Sequence, residues 1–176
     1  MYSEWSDQEL CAESQWDQEK YGIGIKHIDE QHRILFGLVT QLSHLYKFVL
    51  ERHGEHASFR GTKRRGQQKR HFDSAFQRGS QISGAVDEIV SYAAKYLSAE
   101  DHLLESYGYH ERQQHQLEHD AFTRELFRVH KLIEDADAEL SDIRRLLIFL
   151  KTWIDEHIPK SDRKYAPFLL EKGVGG

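Results

Sequence analysis

The chain has 176 residues, a formal charge of −5 with its 12 histidines counted neutral, 39% hydrophobic and 30% charged residues, and only two prolines, Pro159 and Pro167. A length of this order closes one hydrophobic core, and so little proline favours helices over sheet or disorder, so one all-α domain over 1–176 is expected. The acidic balance argues against nucleic acid as a partner. A single cysteine, Cys11, excludes both an internal disulfide and a thiolate metal cage.

The first fifteen residues form a leader that holds Glu4, Asp7, Glu9 and Glu13 without an apolar block, unlike a secretory signal, and the cytosol is the expected compartment. No apolar run approaches the roughly 18 residues of a membrane span. After an extended-looking stretch from Trp16 to Ile25, Ile28, Leu35, Val39, Leu42, Tyr46 and Val49 recur in steps of three and four, and His32 fills the gap: this is a first helix. A second helix reads Ile82, Val86, Ile89, Ala93, Tyr96, then Leu103 and Tyr107, with Glu100 in its gap and Gly108 as the stop. Phe122, Leu126, Val129 and Ile133 define a third, whose stripe extended backwards lands on His119 and His115. The fourth starts near Ser141 as N-cap and runs Ile143, Leu146 or Leu147, Leu150, Ile154 and His157 until Pro159 breaks it. Four amphipathic helices in succession predict an up-down-up-down four-helix bundle.

Between the first two helices, 51–80 reads as a long basic loop insertion. It carries eight Lys or Arg against three acids, +5, which leaves −10 on the rest of a chain whose total is −5. A solvated loop that answers the acidic bundle is the plainer expectation, and a docking surface for an anionic partner the sharper one.

An ionisable group on a buried stripe costs free energy unless it is paired or bound to a metal, and here such groups coincide on all four helices: His32, Glu100, His115, His119 and His157. His115 and His119 lie one turn apart on one face and can reach the same ion. Asp162, five residues beyond His157 and past Pro159, can fold a carboxylate over the site. Imidazole and carboxylate without sulfur suit iron, manganese or zinc, and carboxylate bridges from Glu100 and Asp162 suit two ions. The Glu-x-x-His pairs of ferritin-like di-iron proteins do not occur in this chain.

Trp16, Gly22-Ile23-Gly24-Ile25, Ile28-Asp29-Glu30-Gln31-His32, Glu100-Asp101, Gly108-Tyr109, His115-x3-His119 with Phe122, and Trp153-x3-His157-Ile158-x3-Asp162-x2-Tyr165 resemble, in order and spacing, the motifs of bacterial-type hemerythrins. The resemblance spans Trp16 to about Phe168, apart from the basic insertion. It implies a pair of non-haem irons, oxo- or hydroxo-bridged, with His115, His119 and His157 on one, His32 on the other, and Glu100 and Asp162 between them. It further implies a small ligand at the less saturated iron, dioxygen or another diatomic or peroxide, in a monomer or weak oligomer.

One position departs from the family. A histidine usually stands four residues before the bridging glutamate, where this chain has Tyr96. Tyr96 is either a phenolate ligand that favours ferric iron or an aromatic that packs beside the site. The first option shifts the expected function from dioxygen binding toward a peroxidase or nitric oxide reductase. His27, His44, His53, His56, His71, His102, His110 and His130 carry no expected chemical duty. Leu35, Ile89, Leu103, Phe122, Leu126 and Trp153 are the expected apolar walls.

Overall fold

The computed structural model describes the backbone of residues 5–12, 15–57, 68–134 and 138–175, and the side chains of these except for 52–80. Two short helices, α1 (Asp7–Leu10) and α2 (Gln18–Tyr21), precede four long ones: α3 (Lys26–Ala57), α4 (Gln68–Tyr107), α5 (Arg112–Glu134) and α6 (Leu140–His157). A π turn over Ile158–Asp162 then leads into α7 (Arg163–Glu171). The helix α3 packs against α4 and α6, and α5 packs against the same two, which is the ring of chain neighbours that an up-down bundle makes. No helix among the described residues is long and apolar enough to cross a membrane.

The stripes read from the sequence form the core. Ile28, Leu35, Val39, Leu42, Tyr46 and Val49 of α3, Phe122, Leu126 and Val129 of α5, and Ile143, Leu146, Leu147, Leu150 and Ile154 of α6 are all buried. On α4 the stripe leaves Glu100 by four residues, not three. Leu104 is therefore the fully buried position, Leu103 is half-buried, and Tyr107 is 41% exposed.

Local signals set the ends of these rods. Asp29 in the first turn of α3 accepts hydrogen bonds from the backbone N–H groups of Ile23 at 2.7 Å and Gly24 at 3.3 Å. This folds the incoming chain against the helix start, with Gly24 at φ 85°. At the other end of α4, Gly108 has φ 72°, the Tyr109 N–H donates to the Leu104 carbonyl at 2.9 Å, and the Gly108 N–H donates to the Glu105 carbonyl at 3.0 Å. That is a Schellman stop.

Two expectations need correction, and two further features were not foreseen. The stretch 51–80 is not one loop: α3 continues to Ala57 and α4 begins at Gln68, while 58–67, His53, His56, His71 and the basic side chains lie outside the described residues. The cap of α6 is Glu139, whose N–H donates to the Asp142 carboxylate at 3.0 Å, two residues before Ser141. The acidic leader is no mere tail, because α1 lays Leu10 fully into the core and the Lys151 ammonium and the Ser43 hydroxyl donate to the Leu10 carbonyl.

Pro159 follows closely on the end of α6 at His157, as expected, but the helical path goes on beyond it. Proline lacks an N–H and crowds the carbonyl four residues back in an α-helix. The chain widens into the π turn instead, with the Arg163 N–H donating to the Ile158 carbonyl, and resumes as α7.

Candidate metal centre

Each long helix brings one buried ionisable group, or two, to the same level of the bundle. From α4 comes Glu100, from α5 His115 and His119, from α6 His157, and from the π turn Asp162. Each of these five offers one ligand atom, and the five atoms lie within 4.8 Å of one another. His32 of α3 completes the ring, its Nε2 3.0 Å from Asp162 Oδ2. All six residues are at most 5% exposed. In an α-helix a separation of five residues turns about 140° round the rod, so Asp162 shares a face with His157 only because the π turn takes up the excess.

The shortest distances fall around His115 and Asp162. His115 Nε2 lies 2.9 Å from Asp162 Oδ1 and 3.2 Å from Glu100 Oε1, and His157 Nε2 lies 2.9 Å from Asp162 Oδ1. Burial pulls the His115 imidazole down, but the Asp101 and Asp162 carboxylates and the Glu100 charge outweigh it and carry the group to about 10. Burial likewise opposes ionisation of Asp162, yet the imidazoles of His157, His115 and His32 hold its carboxyl well below the usual range.

Two carboxylates that the sequence reading passed over fix the imidazoles from behind. His119 Nδ1 sits 2.9 Å from Asp101 Oδ1, and His157 Nδ1 sits 2.9 Å from Glu118 Oε2, which also accepts from the Ser161 hydroxyl at 2.7 Å. An Nδ1 that donates to a carboxylate leaves the Nε2 lone pair free for a cation. The two Nε2 atoms face each other at 3.2 Å. Two ring nitrogens so close either share a proton or bind a common cation.

Asp101 lines a cleft of about 300 Å³ between α4 and α5, together with Leu97, His102, Arg112, His119 and Asp120. Burial raises its carboxyl, but hydrogen bonding to His115 and His119 wins and lowers it to about 2. Asp101 and Glu118 stand next to Glu100 and His119 in sequence, about 100° off the buried stripe. Such a flank meets the neighbouring helix, and that was the available signal.

The hydrogen-bond ledger shows what the cluster is short of. Both oxygens of Glu100, His32 Nδ1 and the hydroxyls of Tyr96 and Tyr165 are buried without a well-aligned hydrogen bond, and His32 Nε2 and Asp162 Oδ2 meet each other at 3.0 Å as an ion pair without one. Buried polar atoms of this kind are costly, and so many acceptors in one place fit a cationic group. Tyr96 is buried beside the cluster, its ring edge-on to His32 at 5.6 Å. Burial, with the Glu100 and Asp162 charges, holds the Tyr96 and Tyr165 phenols well above the usual value. Only a cation at the oxygen reverses that sign.

The residues expected as apolar walls lie in or against the core, and one of them, Trp153, touches the centre. Leu35, Ile89, Phe122 and Leu126 are buried, Leu103 and Trp153 are half-buried, and the Trp153 ring stacks on His157 at 4.2 Å and 15°. The remaining described histidines stay apart: His27, His44, His102 and His110 are exposed, and His130 pairs with Asp87 at 2.7 Å.

Known proteins agree with this geometry. Residues 23–169 match the hemerythrin HHE cation-binding domain. A bacteriohemerythrin of Clostridium acetobutylicum is 28% identical over 151 residues, covering 84% of this chain and 95% of its own. One from Methylococcus capsulatus is 23% identical over 155 residues, covering 88% and 95%. A solved wild-type hemerythrin shares the fold with a TM-score of 0.62 at 22% identity, over 89% of this chain and 97% of that one. A match across four helices, with the buried imidazoles and carboxylates gathered at one level, makes this chain a member of the hemerythrin family.

Proposed function

We propose that the chain is a non-haem di-iron protein of the cytosol that binds dioxygen. His115, His119 and His157 hold one iron, His32 and Tyr96 the other, and Glu100 and Asp162 bridge them. The observation that carries this reading is the pair of Nε2 atoms that face each other at 3.2 Å, each on a ring whose Nδ1 lies 2.9 Å from a carboxylate oxygen. Two bound irons supply the electrons that dioxygen needs when it binds. The chain does the rest: Asp101 and Glu118 orient two imidazoles, the apolar walls exclude water, and the Tyr165 hydroxyl keeps a buried proton beside Glu100.

Tyr96 favours a second reading. A phenolate stabilises ferric iron, whereas reversible dioxygen binding starts from ferrous iron, so the same centre would serve a peroxidase or a nitric oxide reductase. The test is metal analysis with a visible spectrum of the ferric protein, followed by rapid mixing of the reduced protein with dioxygen. Two irons per chain and a phenolate-to-iron band that Tyr96→Phe abolishes are expected. A long-lived adduct supports binding, and immediate conversion to the ferric spectrum supports the redox reading. A purified protein without transition metal overturns both.

A further inference from the structure

Tyr92, Tyr96 and Glu100 of α4 recur at every fourth position and so form a row one turn apart on one face. Glu100 and Tyr96 lie inside the bundle, and Tyr92, half-buried, is where the row reaches solvent. The Tyr92 and Tyr96 rings stack with centroids 6.3 Å apart and planes 21° apart. Tyr96 in turn meets His32 edge-on. The Tyr92 hydroxyl donates to the Gln31 carbonyl at 3.1 Å, which fixes the outer ring against α3. Ring contact thus runs unbroken from the buried cluster to the surface, while the six imidazole and carboxylate residues of that cluster are themselves at most 5% exposed. A donor of several ring atoms has no seat at the metals. Tyr92, half-buried, is the ring of this row that such a donor can touch.

We propose that Tyr92 is a surface oxidation site, at which a phenol-class hydrogen-atom donor delivers single electrons through Tyr96 to the metal centre, with a peroxide as the terminal oxidant. This rests on the redox reading given above. Hydrogen peroxide takes two electrons and two protons and leaves as two waters. Each electron is replaced from Tyr92 by way of the Tyr96 ring. As it leaves, the Tyr92 O–H bond breaks and its proton passes to solvent, which leaves a neutral tyrosyl radical. The external phenol then gives one hydrogen atom to Tyr92 Oη and departs as its own phenoxyl radical. Two phenols per peroxide close the balance, and the two protons released at Tyr92 match the two that peroxide consumes.

Plain packing of two rings needs no hydroxyl on the outer one, and that separates the two roles. The iron-loaded, full-length protein is mixed with hydrogen peroxide and a nitroso spin trap, and adducts are located by peptide mass spectrometry. Oxidation of 2,6-dimethoxyphenol is followed in parallel. Wild-type protein is expected to carry the adduct on Tyr92. Tyr92→Phe is expected to lose it, and to oxidise the phenol at least about tenfold more slowly, with bound metal and ferric spectrum like those of the parent. Undiminished phenol oxidation by Tyr92→Phe, or adducts confined to other residues, overturns the relay and leaves the metal centre standing. Absence of bound metal overturns the centre and the relay together.

Discussion

His157 Nε2 and Asp162 Oδ1 lie 2.9 Å apart across a π turn, although five residues of α-helix would set them on different faces. Asp162 is fully buried, and its charge answers three imidazoles. Asp162→Asn keeps the shape and removes the charge. It is expected to weaken metal retention by more than the roughly 10–100-fold that an outer-sphere partner costs, measured by competition against a chromophoric chelator.

Asp101 approaches the cluster through His119 Nδ1 at 2.9 Å and, more distantly, His115 Nδ1 at 3.9 Å, and Glu118 does so through His157 Nδ1 at 2.9 Å. Asp101→Asn and Glu118→Gln are each expected to lower metal affinity about 10–100-fold while the stoichiometry at saturation stays that of the parent. Equilibrium dialysis checks both numbers, and an unchanged affinity in either variant removes that carboxylate from the scheme.

Leu10 links the N-terminal segment to the bundle through a side chain with no solvent exposure. Leu10→Ala is expected to cost about 2–5 kcal/mol in urea unfolding of the metal-loaded protein, as for other truncations in a core. A cost below about 1 kcal/mol would mean that the segment merely rests on the surface.

Gly108 ends α4 at φ 72°, and a Cβ built there meets nothing within 4 Å. The expected penalty of Gly108→Ala is therefore backbone strain alone, about 1–2 kcal/mol, read from the same urea midpoints. Because Gly108 sits between Glu100 and His115, a shift of the ferric visible spectrum beyond this stability loss would show that the turn also sets the distance between two ligands.

Tyr46 donates to Asp7 Oδ1 at 3.1 Å. Burial first, then the hydrogen bond to Asp7 and its charge, push its phenol up to about 12 from 10. A raised pKa means that the native state holds this proton longer than the unfolded chain does. The stabilisation is complete below pH 10 and disappears as pH rises through about 12. Urea midpoints across that window should fall more steeply for the parent than for Tyr46→Phe.

The bundle and its buried cluster were legible because one rule covers both: a stripe of period three to four that is apolar except where a charge replaces a hydrophobe. His32, Glu100, His115, His119 and His157 all obey it. Asp101 and Glu118 lie about 100° away on flanks whose burial depends on the next helix, which periodicity along a single chain does not encode. Pro159 marked the end of α6, but its missing N–H forbids an α turn and not a π turn, so the continuation into α7 left no signal. Leu104 took the place expected for Leu103 because a step of four and a step of three fit a 3.6-residue period equally well over so short a span.

Every rod of this bundle lends at least one side chain to the charged cluster, so the centre is also a fastener. A copy that has not acquired the proposed cation would keep unmet acceptors together toward one end of the bundle, where α3 and α5 begin and α4 and α6 finish, and it would open more often. Proteases act on opened copies. With the metal centre proposed above, steady-state abundance in a growing cell would follow metal supply.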